Sequence, residues 1–160
     1  MKNSILHALF IASCFAHCAQ AVAITATQST STRYKSICNK FEAAKGWGME
    51  TSINLQSCDA NSIRDAGNIK AYIKKLCTLI NADTHGTTQI THIDSPDSKS
   101  GYSVAQFIER GLISAHFDNR TNNAYIRLIT ASPHEATTIA AFSMAFFKAR
   151  DNATVTALVQ

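Results

Sequence analysis

Residues 101–130 read GYSVAQFIERGLISAHFDNRTNNAYIRLIT, and this stretch decides the fold. Three runs rich in β-branched and aromatic residues, 101–109, 112–118 and 123–130, are parted by the turns Glu109-Arg110-Gly111 and Asp118-Asn119-Arg120-Thr121-Asn122. Connections this short join antiparallel neighbours. Period-two alternation then places Leu112, Ser114, His116 and Asp118 on one face of their strand.

Outward from this core the pattern repeats. A strand at 87–94 precedes it, bounded by Ser95-Pro96-Asp97. Met49, Thr51, Ile53 and Leu55 alternate with Glu50, Ser52, Asn54 and Gln56, as a half-buried first strand requires. Asn61 or Ser62 caps a helix in which Ile63, Ile69, Ile73, Leu76, Cys77 and Ile80 recur at three- and four-residue steps. Downstream, Ser132, Pro133 and Glu135 form a capping box with proline at the first helical position, ahead of Ile139, Phe142, Phe146 and Phe147. Asn152–Val159 alternates again and closes the chain. The expected fold is α+β, a two-layer sandwich of a mainly antiparallel β-sheet covered on one face by two helices, its other face wet or set against a second protomer.

At 160 residues, 46% hydrophobic and 16% charged, with two prolines and no internal repeat, the chain holds one such domain. The net charge of +4 comes from its front. Residues 24–45 hold Arg33, Lys35, Lys40 and Lys45 against Glu42, whereas 46–160 carry ten basic and ten acidic residues. A neutral domain with no basic face argues against nucleic-acid binding. Met1-Lys2-Asn3, the apolar run through Phe15, and the small residues at Ala19-Gln20-Ala21 and Ala21-Val22-Ala23 form a secretory signal pattern. The organisation is therefore a signal peptide at 1–23, a Ser/Thr-rich basic linker at 24–45 and a domain at 46–160, in a secreted or periplasmic protein. A lipoprotein site at Cys14 and a cytoplasmic location are the alternatives. An uncleaved anchor would bury His7 and His17 in lipid, so no stable membrane span is expected.

Cleavage would leave Cys38, Cys58 and Cys77, an odd set in which one pair can close through Cys38 or all three can be small buried hydrophobes. No Cys-x-x-Cys spacing is present, and His85, His92 and His134 are dispersed. His92 and His116 can face each other across strands but lack a third ligand, so no metal is expected. The sequons at Asn119 and Asn152 matter only in a eukaryotic secretory route. Ser114 and His116 share a strand face as a nucleophile–base pair would, without an orienting acid or a Gly-x-Ser-x-Gly elbow. Tyr102, Phe107 and Phe117 can line a nucleoside pocket or belong to the core.

The segments GWGMETSINLQSCDANSIRD and LISAHFDNRTNNAYIRLITAS, with the Ser132-Pro133-x-Glu135 helix start, resemble the bacterial and phage-related S-adenosylmethionine decarboxylases over about residues 47–150. Members of that family cleave their own chain before a serine and convert it to a pyruvoyl group, the electron sink for decarboxylation. The resemblance places Gly111 on the pyruvoyl-forming serine and Ala131 on the catalytic cysteine. Ser103 and His116 match the family's processing residues. Self-processing needs a side-chain oxygen to attack the preceding carbonyl and then a β-elimination, and glycine has no β-carbon for either. Ala131 cannot handle a proton. Ser114, three residues into the strand, is poorly placed to substitute.

The resemblance thus implies a secreted, catalytically degenerate relative that keeps the sandwich as a binding or assembly module. The site residues are Ser103 and His116, and no cofactor is expected. The first alternative is an active pyruvoyl-dependent decarboxylase of S-adenosylmethionine or a basic amino acid in polyamine biosynthesis, in which case a pyruvoyl group is present. The second is a regulatory partner of a catalytic paralogue. The partners it implies are a second copy in a homodimer and a small nucleoside or amine ligand.

Overall fold

A computed structural model describes residues 35–45, 47–94 and 100–150 and the backbone of 154–159. The expected signal peptide, Cys14, Asn152 and residues 24–34 lie outside the described residues. The chain divides into two compact units, Met1–Asn39 and Lys40–Gln160. Residues 35–39 of the first and 40–44 of the second are helical, so this part of the Ser/Thr-rich segment is not irregular chain.

Within the second unit, β1 (Met49–Leu55) is followed by a single helical turn α1 (Ala60–Ile63) and by α2 (Ala66–Leu79). Strands β2 (Thr84–Ile93), β3 (Gly101–Ile108), β4 (Gly111–Asp118) and β5 (Asn123–Thr130) come next, then α3 (Ala136–Phe147) and β6 (Thr154–Val159). The six strands form one sheet in the order β2-β3-β4-β5-β1-β6, and every pair is antiparallel. This is the expected two-layer α+β sandwich.

The side-chain period of two sorts β1, β4 and β5 cleanly. Ile53 and Leu55 of β1, Ile113, Ala115 and Phe117 of β4, and Ala124, Ile126 and Leu128 of β5 are buried under α2 and α3. The alternate residues, among them Glu50, Ser114, His116, Tyr125 and Arg127, lie on the face away from those helices and are half-buried or exposed. Between the helices Tyr72 is fully buried, stacked on Phe142 at 5.6 Å between centroids and tilted against Phe147 at 4.6 Å. Its hydroxyl lies 2.8 Å from Ser143 Oγ, which donates to the Ile139 carbonyl at 2.7 Å, so Tyr72 is the donor. Burial pushes the phenol well above its usual pKa and keeps it neutral. Tyr72→Phe keeps the packing and leaves the Ser143 proton satisfied; urea denaturation should show a loss of about 0.5–1.5 kcal/mol, the net worth of one hydrogen bond.

Both helix starts differ from the sequence expectation. Neither Asn61 nor Ser62 caps: Asp59 accepts from Ser62 N, and Asp65 accepts from Gly67 N and Asn68 N, so the chain is recapped and α1 stays separate from α2. Ser62 instead receives Asn68 Nδ2 on its hydroxyl, tying the two pieces together. The box at 132–135 does not form as a box. Glu135 is itself the N-cap of α3, its carboxylate accepting from the backbone N–H groups of Thr137 and Thr138. The cause is His134, whose ring is held in the core by two threonines and keeps 132–134 out of the helix.

Candidate functional site

The hairpin between β3 and β4 has only Glu109 and Arg110 at its bend, with Ile108 paired to Gly111. Counting five pairs back from that end brings Ser103 opposite His116. Their side chains meet on the face away from the helices, Ser103 Oγ lying 3.0 Å from His116 Nδ1. The sequence placed Ser114 with His116 along one strand. Ser114 does share that face, two pairs nearer the bend, opposite Ala105 and Arg127, but the hydroxyl that reaches the imidazole comes from the neighbouring strand.

Gly111 is not a turn glycine. The left-handed residue of the bend is Arg110, at φ 56°, while Gly111 opens β4 between Ile108 and Thr130. A Cβ added at Gly111 would fall 2.2 Å from the Ile129 carbonyl oxygen and 3.1 Å from Ile108 Cγ1. Close approach of backbone, not positive φ, requires glycine here. Ala131 is beside it, its N–H donating to the Arg110 carbonyl at 3.1 Å.

The four family-matched positions therefore fall in two places. Gly111 and Ala131 share the hairpin end, whereas Ser103 and His116 stand five residue pairs away, about 17 Å at the rise of an antiparallel strand. The cavity at the hairpin end is lined by Glu109, Arg110, Ala131 and His134 among others and holds about 60 Å³. That is roughly two waters' share of liquid volume and far below the few hundred Å³ of a cofactor or drug-sized pocket.

His134 is the best-tied polar side chain of this region, although in the sequence it is only one of several dispersed histidines. It is 7% exposed. Thr130 Oγ1 donates to the Ser132 carbonyl at 2.6 Å and so accepts from His134 Nδ1 at 3.0 Å; Nε2 then accepts from Thr51 Oγ1 at 2.8 Å. Burial depresses its pKa below the usual imidazole value. Two threonines on the helix-facing positions of adjacent strands were the available signal.

The remaining candidates separate. His92 pairs with Tyr102, ring centroids 4.8 Å apart, on the opposite side of the sheet from His116, so the two histidines do not face each other. Tyr102, Phe107 and Phe117 do not line one pocket: Phe117 is buried against Phe147, whereas Phe107 is 59% exposed on the other face. No group of three or more His, Cys, Asp or Glu side chains able to share an ion occurs among the described residues. Cys38, Cys58 and Cys77 are free thiols. Cys58 and Cys77 sit in the core, where burial pushes Cys58 up to about 11 and makes it a small hydrophobe. No helix among the described residues is long and apolar enough to cross a membrane.

The chain is similar to the crystal structure of the adenosylmethionine decarboxylase from Aquifex aeolicus VF5, with a TM-score of 0.60 and 14% identity over 72% of this chain and 91% of that one. No curated protein sequence matches it. A model of the S-adenosylmethionine decarboxylase family matches residues 49–158, from the start of β1 through α1, α2 and α3 to all but the last residue of β6, and the chain belongs to that family.

Proposed function

We propose that this chain is an exported, non-catalytic member of the family that keeps the sandwich as a binding and assembly module. The observation that carries the reading is Gly111, which lacks the β-carbon needed for ester formation and elimination and whose Cβ position is occupied by the Ile129 carbonyl. Ala131 in place of a thiol and the small cavity beside it support the same reading. So does the leader, since export separates a protein from the cytosolic pool of S-adenosylmethionine. The open sheet face supplies a surface for a second copy: Phe107, Leu112 and Ile129 lie in one row across three strands, and Tyr125 is 42% exposed nearby.

The contact between Ser103 and His116 favours a second reading, an active decarboxylase that makes its carbonyl at another residue. Intact mass of the purified protein separates the two. A single chain beginning near Val22 or Ile24, unchanged in His116→Ala, is the expected result. Two fragments split near residues 109–111, the second blocked at its first residue by a ketone in place of the amine, would overturn it, as would release of carbon dioxide from labelled S-adenosylmethionine.

A further inference from the structure

A second cavity, of about 430 Å³, lies between α2 and β2 and is lined by Lys70, Ile73, Lys74, Thr84, Gly86, Thr87, Thr88 and Gln106. It is built by a defect in the sheet. Strand β2 pairs in register at Thr84 and His85, loses register, and resumes at Gln89 opposite Ala105. Gly86, Thr87 and Thr88 are thus three residues set against one, a bulge that needs the left-handed φ of 68° at Gly86 and leaves open space around that residue.

Gln106 holds the bulge from below. Its side chain is 2% exposed, accepts from Thr88 Oγ1 at 2.6 Å, and donates to the carbonyls of His85 at 3.3 Å and Phe107 at 2.7 Å. A buried amide bonded through both its oxygen and its nitrogen fixes the raised strand and keeps the cleft from closing on α2.

Apart from the Gln106 amide, the polar side chains of the cleft are cationic or hydroxylic. Lys70 and Lys74 are one helical turn apart on the same side of α2, a helix with no acidic residue, and neither has an ion-pair partner among the described residues. No carboxylate lines the cavity. Thr87 Oγ1 accepts from Gln89 Nε2 at 3.3 Å, which leaves its own proton free to donate. Ile73, fully buried, closes the cavity on the core side.

We infer that this cleft binds a small organic anion, a carboxylate or phosphate monoester with a compact apolar body. The anion sits between the two ammonium groups and the Thr87 hydroxyl while the body lies along the methylene stems of the two lysines and the threonine methyls. This volume lies in the range of small-molecule sites.

Two-dimensional NMR of the full chain titrated with octanoate and with phenyl phosphate tests this. Saturable shifts at Lys70, Lys74, Gly86 and Thr87 are expected, with a Kd of about 1 mM or tighter, within the per-atom bounds for ligands of this size. Binding should weaken about tenfold or more in Lys70→Gln/Lys74→Gln, because each charge-assisted hydrogen bond becomes a neutral one. Both lysines are exposed, so the rest of the spectrum should not move. The affinity of the parent should also fall as salt rises. The inference is overturned by absence of saturable shifts with both organic anions, by equal affinity in the double variant, by indifference to salt, or by inorganic phosphate binding as tightly as either.

Discussion

Gly111→Ser purifies as one uncleaved chain and melts below the parent by roughly 5–15 °C, the shift for an overpacking cost of about 1–3 kcal/mol in a domain of this size. The serine restores the missing atoms but has no room for them. Its Cβ would stand 2.2 Å from the Ile129 oxygen, and that oxygen belongs to the backbone of β5, which is laddered to β4 on one side and β1 on the other. Relief must come from moving β4, whose next residues Leu112 and Ile113 are registered against Ile129 and Leu128. Gly111→Ala should lose the same stability, because the obstruction is met by Cβ and not by the hydroxyl. Gly111→Ser/Ala131→Cys should likewise stay intact. Mass spectrometry and a thermal melt read both effects. Fragments from either serine variant would show that the hairpin can shift into a processing geometry and that the Ile129 carbonyl is no obstacle to a side chain at 111.

The same hairpin shows how much the sequence discloses. A loop of two residues between Ile108 and Gly111 fixes the register of β3 on β4, so the meeting of Ser103 with His116 follows from counting once the loop length is known. The alternation of β1, β4 and β5 was legible for the same reason: one face is buried, and a slip by one residue would turn every apolar side chain outward. Legibility ended where tertiary contacts override local patterns. Ser132, Pro133 and Glu135 satisfy every rule for a helix start, yet the start moves to Glu135 because His134 has better partners in the core than any turn can offer. The role of Gly111 could not be read either, because it depends on a carbonyl eighteen positions away in sequence. The bulge of β2 was equally hidden, since His-Gly-Thr-Thr carries a glycine but nothing local to say that Gln106 waits beneath it.

His134→Ala should lower stability at neutral pH by about 2–4 kcal/mol, combining the cost of a buried hydroxyl left without its acceptor with that of unfilled core space. The hydroxyl is that of Thr51, which is fully buried and donates to Nε2; Thr130 keeps its bond to the Ser132 carbonyl. The stronger prediction concerns pH. The folded-state pKa of His134 lies below the ordinary 6.5, chiefly through burial, with the Ser132 backbone and the neighbouring Glu135 opposing weakly. Folding therefore disfavours the proton. The contribution of the neutral ring is complete above about pH 6.5 and is lost as pH falls from there toward the depressed value, by at most about 1.4 kcal/mol per pH unit. In the folded protein Nε2 meets an added proton with only the Thr51 oxygen, and the weak attraction of Glu135 does not offset the cost of burying the charge. Glu135 and Asp118 also bear on acid stability but in a lower window. Partial burial would raise both carboxyls. It is outweighed by hydrogen bonds from Thr137 and Thr138 to Glu135, and from Arg120 and Thr121 to Asp118, so both sit below their usual carboxylate values. Their contributions are lost only as pH falls below about 4. Urea denaturation of the parent at pH 7.5, 6.5, 5.5 and 5.0 should thus show a decline that His134→Ala does not share, the two curves converging as the parent loses what the variant never had. Parallel curves through that window would place the imidazole's proton equilibrium at its unfolded value and remove the Thr51–His134–Thr130 bridge as the reason α3 starts where it does.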